Sequence, residues 1–350
     1  MRRKFEQFFF GMRVFFRYLT IKNLIKIINF IFKRYLRKEA IPFSVVFAVT
    51  YDCQCKCVHC SVGDCATGNK EMTTLEIKSL IDDIDVWGPI KITFFGGEPM
   101  MRPDLVELVS YAASKGIRCA VDTNGIAVTE SKIKELKSAG IGNINVSIDS
   151  ADPAIHDKLR KYNGCFDAAL KAVRLCVNND VPCLVSTYAS NRSVRDGDLE
   201  AIIALAKKEG VEGVKILFPI LSGRWRKQEQ EALSKEGRAY LKSLLDPSYV
   251  YIEDALEMVK REGKGCSAIE KNLIYISPYG DVQPCPAIPV TFGNVRSERF
   301  TVIVKRMMEH VFYKKHKYCT SCLMNEDSFR KKYFAVNEDG GVPVDVEKII

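Results

Sequence analysis

The sequence predicts an α/β fold of six strand–helix units, with parallel strands inside and helices outside, between a basic amphipathic extension and a small cysteine-bearing module. Two observations carry this. Short apolar runs alternate with helix-period segments from residue 44 to residue 219. The cysteines fall into two sets, one just after the first apolar run and one beyond the point where the alternation stops. A chain of 350 residues can bury one large core and still carry an appended module.

The extension, residues 1–42, comes first. Residues 1–38 hold eleven Lys/Arg against one acid, Glu6, a net +10 in a chain whose total is +9. The other 312 residues therefore sum to −1, which speaks against nucleic acid as a partner. Lys22, Lys26, Asn29, Lys33 and Arg37 recur every three or four residues, with aliphatic and aromatic residues opposite. Such a helix lies in a membrane interface or packs its apolar face onto the core. Charges interrupt it too often for the ~18 apolar residues of a bilayer span, and no cleavage-site pattern follows it. Thirteen cysteines without a secretion signal point to a reducing cytoplasm and to metal ligation, with the inner face of the membrane as a second location.

The barrel segment, residues 43–225, has strands expected at Ser44–Thr50, Lys91–Phe95, Arg118–Thr123, Asn143–Asp149, Pro182–Tyr188 and Gly213–Pro219. Helices are expected at Thr74–Trp87, Pro103–Lys115, Glu130–Ala139, Phe166–Asn178 and Asp196–Lys208. Thr73 with Glu76 forms a capping box, and Gly116, Gly140 and Gly210 stand where helices stop. Parallel strands set their carboxyl ends toward a common rim where ligands bind. Asn145, Ser147 and Asp149 alternate toward the inner face of the fourth strand, where polar groups need partners.

After the first strand come Cys53, Cys57 and Cys60, spaced C-x3-C-x2-C. Three thiolates on one tight loop can hold three irons of a [4Fe–4S] cubane and leave the fourth iron open. The alternative is a zinc knuckle, with His59 or Cys55 as fourth ligand. Beyond residue 225 a helical connection, 226–262, is expected to carry helices over Arg226–Leu245 and Ile252–Arg261. The module 263–325 holds Cys266, Cys285 and the pair Cys319-x2-Cys322, with a hairpin turning at Tyr279-Gly280-Asp281 that delivers Cys285. Residues 326–350 read as a polar tail on the surface.

The C-x3-C-x2-C array, together with Gly96-Gly97-Glu98-Pro99 at the end of the second strand, resembles the radical S-adenosylmethionine (SAM) superfamily. The resemblance covers about residues 44–325 and implies a partial (β/α)6 barrel. It implies an enzyme in which SAM chelates the open iron and one electron cleaves it to methionine and a 5′-deoxyadenosyl radical that abstracts a substrate hydrogen. By the same resemblance Gly96, Gly97, Glu98 and Pro99 contact SAM, as do Asn124, Ser147, Asp149 and Arg160. The glycines would let the backbone approach the bound molecule. Arg160 belongs to a His156-Asp157-Lys158-Leu159-Arg160 stretch similar to one in the family. Cys165 stands where relatives carry Ser and is a candidate hydrogen-atom donor, against a plain reading as a small buried residue.

Cys266, Cys285, Cys319 and Cys322 resemble the ligands of a shortened SPASM module, the twitch domain, which implies one auxiliary [4Fe–4S] cluster assisting electron transfer. Structural zinc on the same residues is the alternative. A flavodoxin or ferredoxin would supply electrons, and the substrate would be a peptide, a small metabolite or a membrane-held lipid. Two further classes compete: a non-catalytic zinc or iron–sulfur protein at the membrane surface, and an adaptor with a vestigial barrel.

Overall fold

The structure is a computed structural model that describes residues 19–63, 65, 68–246, 248–252, 266–316, 322–336 and 343–349. Its centre is a nine-stranded sheet in the order β7-β6-β5-β4-β3-β2-β1-β8-β9. The strands are β1 Ser44–Thr50, β2 Lys91–Gly96, β3 Arg118–Thr123, β4 Ile141–Ser147, β5 Cys183–Tyr188, β6 Gly213–Leu217, β7 Val250–Ile252, β8 Leu273–Ile276 and β9 Val282–Gln283. Strands β1 to β7 run parallel in chain order, β8 joins β1 in parallel, and only β9 is antiparallel. The sheet is therefore α/β and mostly parallel, and its two ends do not pair with each other.

The helices are α1 Ile21–Ile31, α2 Thr74–Trp87, α3 Leu105–Ser114, α4 Glu130–Ser138, α5 Pro153–Arg160, α6 Cys165–Asn178, α7 Asn191–Arg195, α8 Asp198–Lys208, α9 Lys235–Ser243, α10 Phe300–Glu309, α11 Val311–Lys315 and α12 Asp327–Val336. The Thr73–Glu76 capping box is formed at the head of α2. Gly116, Gly140 and Gly210 take positive φ after α3, α4 and α8, where a side chain would be strained. One face of the sheet buries Val45, Phe47, Val49, Ile92, Phe94, Val121, Ile144, Val146 and Val185 against these helices. The other face is polar in its middle. Asn143 Nδ2 donates to Asn145 Oδ1 (2.9 Å), Asn145 bonds Asp122, and Lys215 Nζ lies 3.5 Å from Asp122 Oδ2. Asn145 of β4 thus finds a partner in Asp122 of β3, which also meets Lys215 of β6.

The connection and tail differ from expectation. Arg226–Leu245 forms short 3-10 turns and then α9, and Ile252 ends strand β7. The rest of that second expected helix lies outside the described residues. The tail is not merely a surface wrap. Phe329 and Tyr333, one turn apart on α12, are buried, as are Val346 and Ile349, and Val344–Asp345 pairs with Val290–Thr291. A largely polar composition hid an apolar stripe at i, i+4.

The extension departs from the reading in which its apolar face packs onto the core. The basic side of α1 faces the body: Lys26 pairs with Asp85, Lys22 Nζ donates to Ser114 O (2.9 Å), and Lys33 Nζ donates to Val86 O (3.3 Å). These acceptors lie at the carboxyl ends of α2 and α3, where helix dipoles favour cations. Asn23 Nδ2 adds a bond to Gly116 O (2.8 Å). Phe30 enters a small apolar contact with Ile41 and Ile90, and Ile27 packs against it. Helix α1 therefore sits where the parallel strands begin, at the end of the sheet opposite their carboxyl ends. No helix among the described residues is long and apolar enough to cross a membrane.

Phe30→Ala should lower the unfolding free energy by about 3 kcal/mol, the usual loss for a buried aromatic, read from the urea midpoint. An unchanged midpoint would mean that α1 is not docked through this contact.

Candidate active site

The loop after β1 carries Cys53, Cys55, Cys57 and Cys60, and backbone hydrogen bonds fix it from three sides. Gly97 N donates to Thr50 O (2.8 Å) and Glu98 N to Asp52 O (2.7 Å). Lys56 N and Val58 N donate to Arg160 O (3.1 Å) and Leu159 O (2.9 Å) at the end of α5. Arg224 N donates to Cys60 O (3.0 Å), while its guanidinium reaches Cys57 O (3.2 Å) and Gly63 O (2.9 Å). A Cβ on Gly223 would stand 2.2 Å from Cys60 O, so this clamp needs glycine.

Gly96 and Gly97 are both required by the chain's own packing. A Cβ on Gly96 would lie 2.1 Å from Thr50 O, and one on Gly97 2.3 Å from Asp52 O. Glycine is needed here so that the end of β2 can press on the root of the cysteine loop, an approach between two parts of the chain itself. Glu98 is fully buried and accepts from Met100 N (3.0 Å), Thr123 Oγ1 (2.7 Å) and Asn124 N (2.7 Å). Its carboxyl group ties β2 to the end of β3, and Pro99 starts the 3-10 turn that follows, with Pro99 and Met100 buried. Burial pushes the Glu98 pKa up to about 7 against the pull of those donors.

The sulfurs meet cationic and amide donors. Asn124 Nδ2 lies 3.7 Å from Cys53 Sγ and 3.6 Å from Cys55 Sγ, and Arg160 Nη1 lies 3.7 Å from Cys57 Sγ. The Cys57 thiol is lowered to about 6, first by the hydrogen bond from Cys55 and then, against burial, by the Arg160 charge. Burial instead pushes Cys60 up to about 12. Beneath the loop, Asp149 Oδ2 sits 2.6 Å from Arg160 Nε and 3.3 Å from His59 Nε2. Burial alone would raise Asp149, but the Arg160 charge holds it below the usual carboxylate range. Burial lowers His59 to about 4, so it is neutral, and its ring packs on Tyr188 (4.6 Å) and Trp225 (5.7 Å). Asp149 thus holds the Arg160 guanidinium in place under the loop. Ser147 is half-buried at the end of β4, beside Ser186.

Cys165 is 0 % exposed, with its Sγ 3.9 Å from Cys55 Sγ. This enclosure accords with Cys165 as a small packing residue behind the cysteine loop. Arg224, Gly223, Tyr188 and Trp225 escaped the sequence reading, since each lies far along the chain from the loop it holds.

In the second set, Cys266, Cys285 and Cys322 converge. Burial, then the charges of Cys266 and Cys322, push the Cys285 thiol up, and Tyr313 feels both Cys285 and Cys266. The hairpin β8–β9 turns through Gly280 at φ +97° and delivers Cys285 as expected. Cys319 lies outside the described residues. Among the described residues no three His, Cys, Asp or Glu side chains are gathered tightly enough for one metal ion. A cubane takes one thiolate per iron. The loop offers thiols for it on a pinned segment, with N–H donors aimed at the sulfurs of Cys53 and Cys57. A cavity of about 380 Å³ separates this loop from the second cysteine module, lined by Tyr51, Val62, Cys65, Tyr275 and Ala287 among others.

Residues 47–206 match the radical SAM superfamily, and residues 266–323 match an iron–sulfur cluster-binding domain. An AdoMet-dependent heme synthase of Methanosarcina barkeri is 28% identical over 75% of this chain and 82% of its own. An Fe-coproporphyrin III synthase of the same organism is 37% identical over 55% of this chain and 48% of its own. The crystal structure of Streptococcus suis SuiB bound to precursor peptide SuiA shares the fold, with a TM-score of 0.66 at 14% identity, covering 83% of this chain and 74% of that one.

Gly97→Ala should displace the loop root and roughly halve the iron bound after reconstitution, from about eight to about four per chain; full iron loading would show that the contact can relax. The folded Glu98 carboxyl keeps its proton up to about pH 7, whereas an unfolded glutamate releases it near pH 4.3. Between these values the native state binds more protons, so stability falls as pH rises. Glu98→Gln should flatten that fall in the melting temperature of the metal-free protein, and an unaltered slope would place its origin elsewhere.

Proposed function

The chain belongs to the radical SAM superfamily, and we propose that Cys53, Cys57 and Cys60 hold the [4Fe–4S] cluster at which this enzyme binds SAM. When bound, that cluster supplies the electron that splits SAM into methionine and a 5′-deoxyadenosyl radical able to take a hydrogen atom from a substrate. The observation that carries the assignment is the loop itself: three thiols on one segment, clamped by Gly97, Arg160 and Arg224, with Asn124 and Arg160 donating toward their sulfurs.

The chain's own residues have separable tasks. Asn124 and Arg160 stabilise thiolate over thiol, because a donor or cation beside sulfur favours its charged form. Asp149 keeps the Arg160 guanidinium in place and balances its buried charge, and His59 fills the space behind the loop against Tyr188 and Trp225. Ser147, on the inner face of β4 near the rim, remains the residue proposed for a SAM hydroxyl or carboxylate. The turn at Gly96–Pro99 shapes the wall beside the SAM amino group.

Cys266, Cys285 and Cys322, with Cys319, are proposed to hold the auxiliary cluster. Four cysteine ligands leave no open iron, which suits electron transfer. Its electrons would come through a flavodoxin or ferredoxin. The substrate would be a peptide or small metabolite entering between the loop and the module. A membrane-held substrate fits less well, because the extension lies at the opposite end of the strands from this opening.

Cys57→Ala should abolish 5′-deoxyadenosine formation from SAM under anaerobic reducing conditions; wild-type turnover in that variant would refute the assignment. Replacing Cys53, Cys57 and Cys60 together by Ala should leave about four irons, those of the auxiliary site. Zinc in place of that iron would support the structural-zinc alternative.

A further inference from the structure

Helix α1 turns its apolar side to water. Ile21, Leu24, Ile25, Ile28, Ile31 and Phe32 are all exposed, Ile28 to 64 %, and Leu36 extends the line at 71 %. A surface helix ordinarily shows water its polar side. Here the lysines hold the helix to the body and leave a continuous apolar face with no charged residue in it, of the kind that marks an interaction site.

A second observation says what covers it. Beside this face lies a cavity of about 350 Å³, lined by Lys22, Lys26, Lys33 and Lys115 with Asn29 and Gly88, and with Asp85 as the one acid in its lining. Lys115 also pairs with Asp82, and Lys26 with Asp85. Lys22 and Lys33 meet backbone carbonyls. An ammonium has three protons to donate, so these contacts leave capacity for an anion. Ile25 lines the cavity and belongs to the exposed face as well, which makes the two continuous.

We propose that α1 is an in-plane anchor for membranes containing anionic phospholipids. The apolar face enters the acyl boundary, and the lysine-lined cavity takes the phosphate of a headgroup. Charge complementarity selects this occupant over a second copy of the chain, which would bring its own Lys22, Lys26 and Lys33 to the contact. In sequence, residues 1–18 continue the same character, with five Lys/Arg, one Glu and six Phe. Because α1 lies where the strands begin, an enzyme held this way presents its active-site rim away from the bilayer. Attachment by apolar insertion, with the phosphate shielded in a cavity, also resists salt better than attachment by exposed charges.

Co-sedimentation of the full chain with vesicles of phosphatidylcholine, with and without phosphatidylglycerol, tests this. Wild type should bind the anionic vesicles and keep most of that binding at about 0.5 M salt, where exposed charges are screened within a few ångströms. Ile25→Glu with Ile28→Glu should weaken binding at least about ten-fold, and Lys22→Gln with Lys33→Gln should remove the preference for the anionic lipid. Iron content and 5′-deoxyadenosine formation should be unchanged in both variants, which confirms that they fold. Wild type that ignores both vesicles, or glutamate variants that bind as well as wild type, would overturn the proposal. So would a wild-type dimer that fails to bind vesicles and that the glutamate variants split, since the face would then belong to a second copy.

Discussion

The contact on which the site depends is between two stretches of backbone: Gly96–Gly97 at the end of β2 and the carbonyls of Thr50–Asp52 at the root of the cysteine loop. Any Cβ at either glycine would penetrate those carbonyls. The closeness lets Gly97 N and Glu98 N hydrogen-bond the loop root, and it turns Glu98 under the sheet to bind Thr123 and Asn124. Asn124 in turn reaches the sulfurs of Cys53 and Cys55. A single close approach thereby sets where the first thiol stands and what donates to it.

The other side of the loop is held by charge. Arg160 is buried with Asp149 as its counter-ion, and the pair lies under Cys57. A buried ion pair contributes little net stability by itself, and removing one partner leaves an uncompensated charge. Its value here is positional: it puts a fixed cation beside a thiol that must become a thiolate. The same economy of partners runs through the polar inner face, where Asp122, Asn145 and Lys215 satisfy one another across strands. That leaves a hydrophilic floor in a sheet whose other face is built mainly of Val, Ile and Phe.

Much of this was legible in the sequence. The strand and helix alternation gave β1, β3 and α2 to the residue, because period and caps are local signals. The cysteine spacing and GGEP segment, through their resemblance to a family, pointed to the chemistry. What sequence could not give was tertiary. Nothing local says that Gly96 and Gly97 must make room for the carbonyls of Thr50 and Asp52. Nothing local says that Asp149 pairs with Arg160. The lysine stripe of α1 was read correctly as one face of a helix. Nothing in a periodicity says which face turns inward, and the carbonyls that attract it belong to α2 and α3, more than fifty residues away in the chain. Tyr333 and Phe329 were missed because two apolar residues in a polar segment look like surface until something packs on them.

The central claim is that one loop holds a cluster with an iron open to SAM while the C-terminal cysteines hold a closed one. Electron paramagnetic resonance of the reduced, reconstituted enzyme, recorded before and after SAM is added, addresses both halves together. The account predicts two reduced-cluster signals, of which one shifts on addition of SAM and the other does not. A spectrum in which no cluster signal responds to SAM, or in which both respond alike, would contradict it.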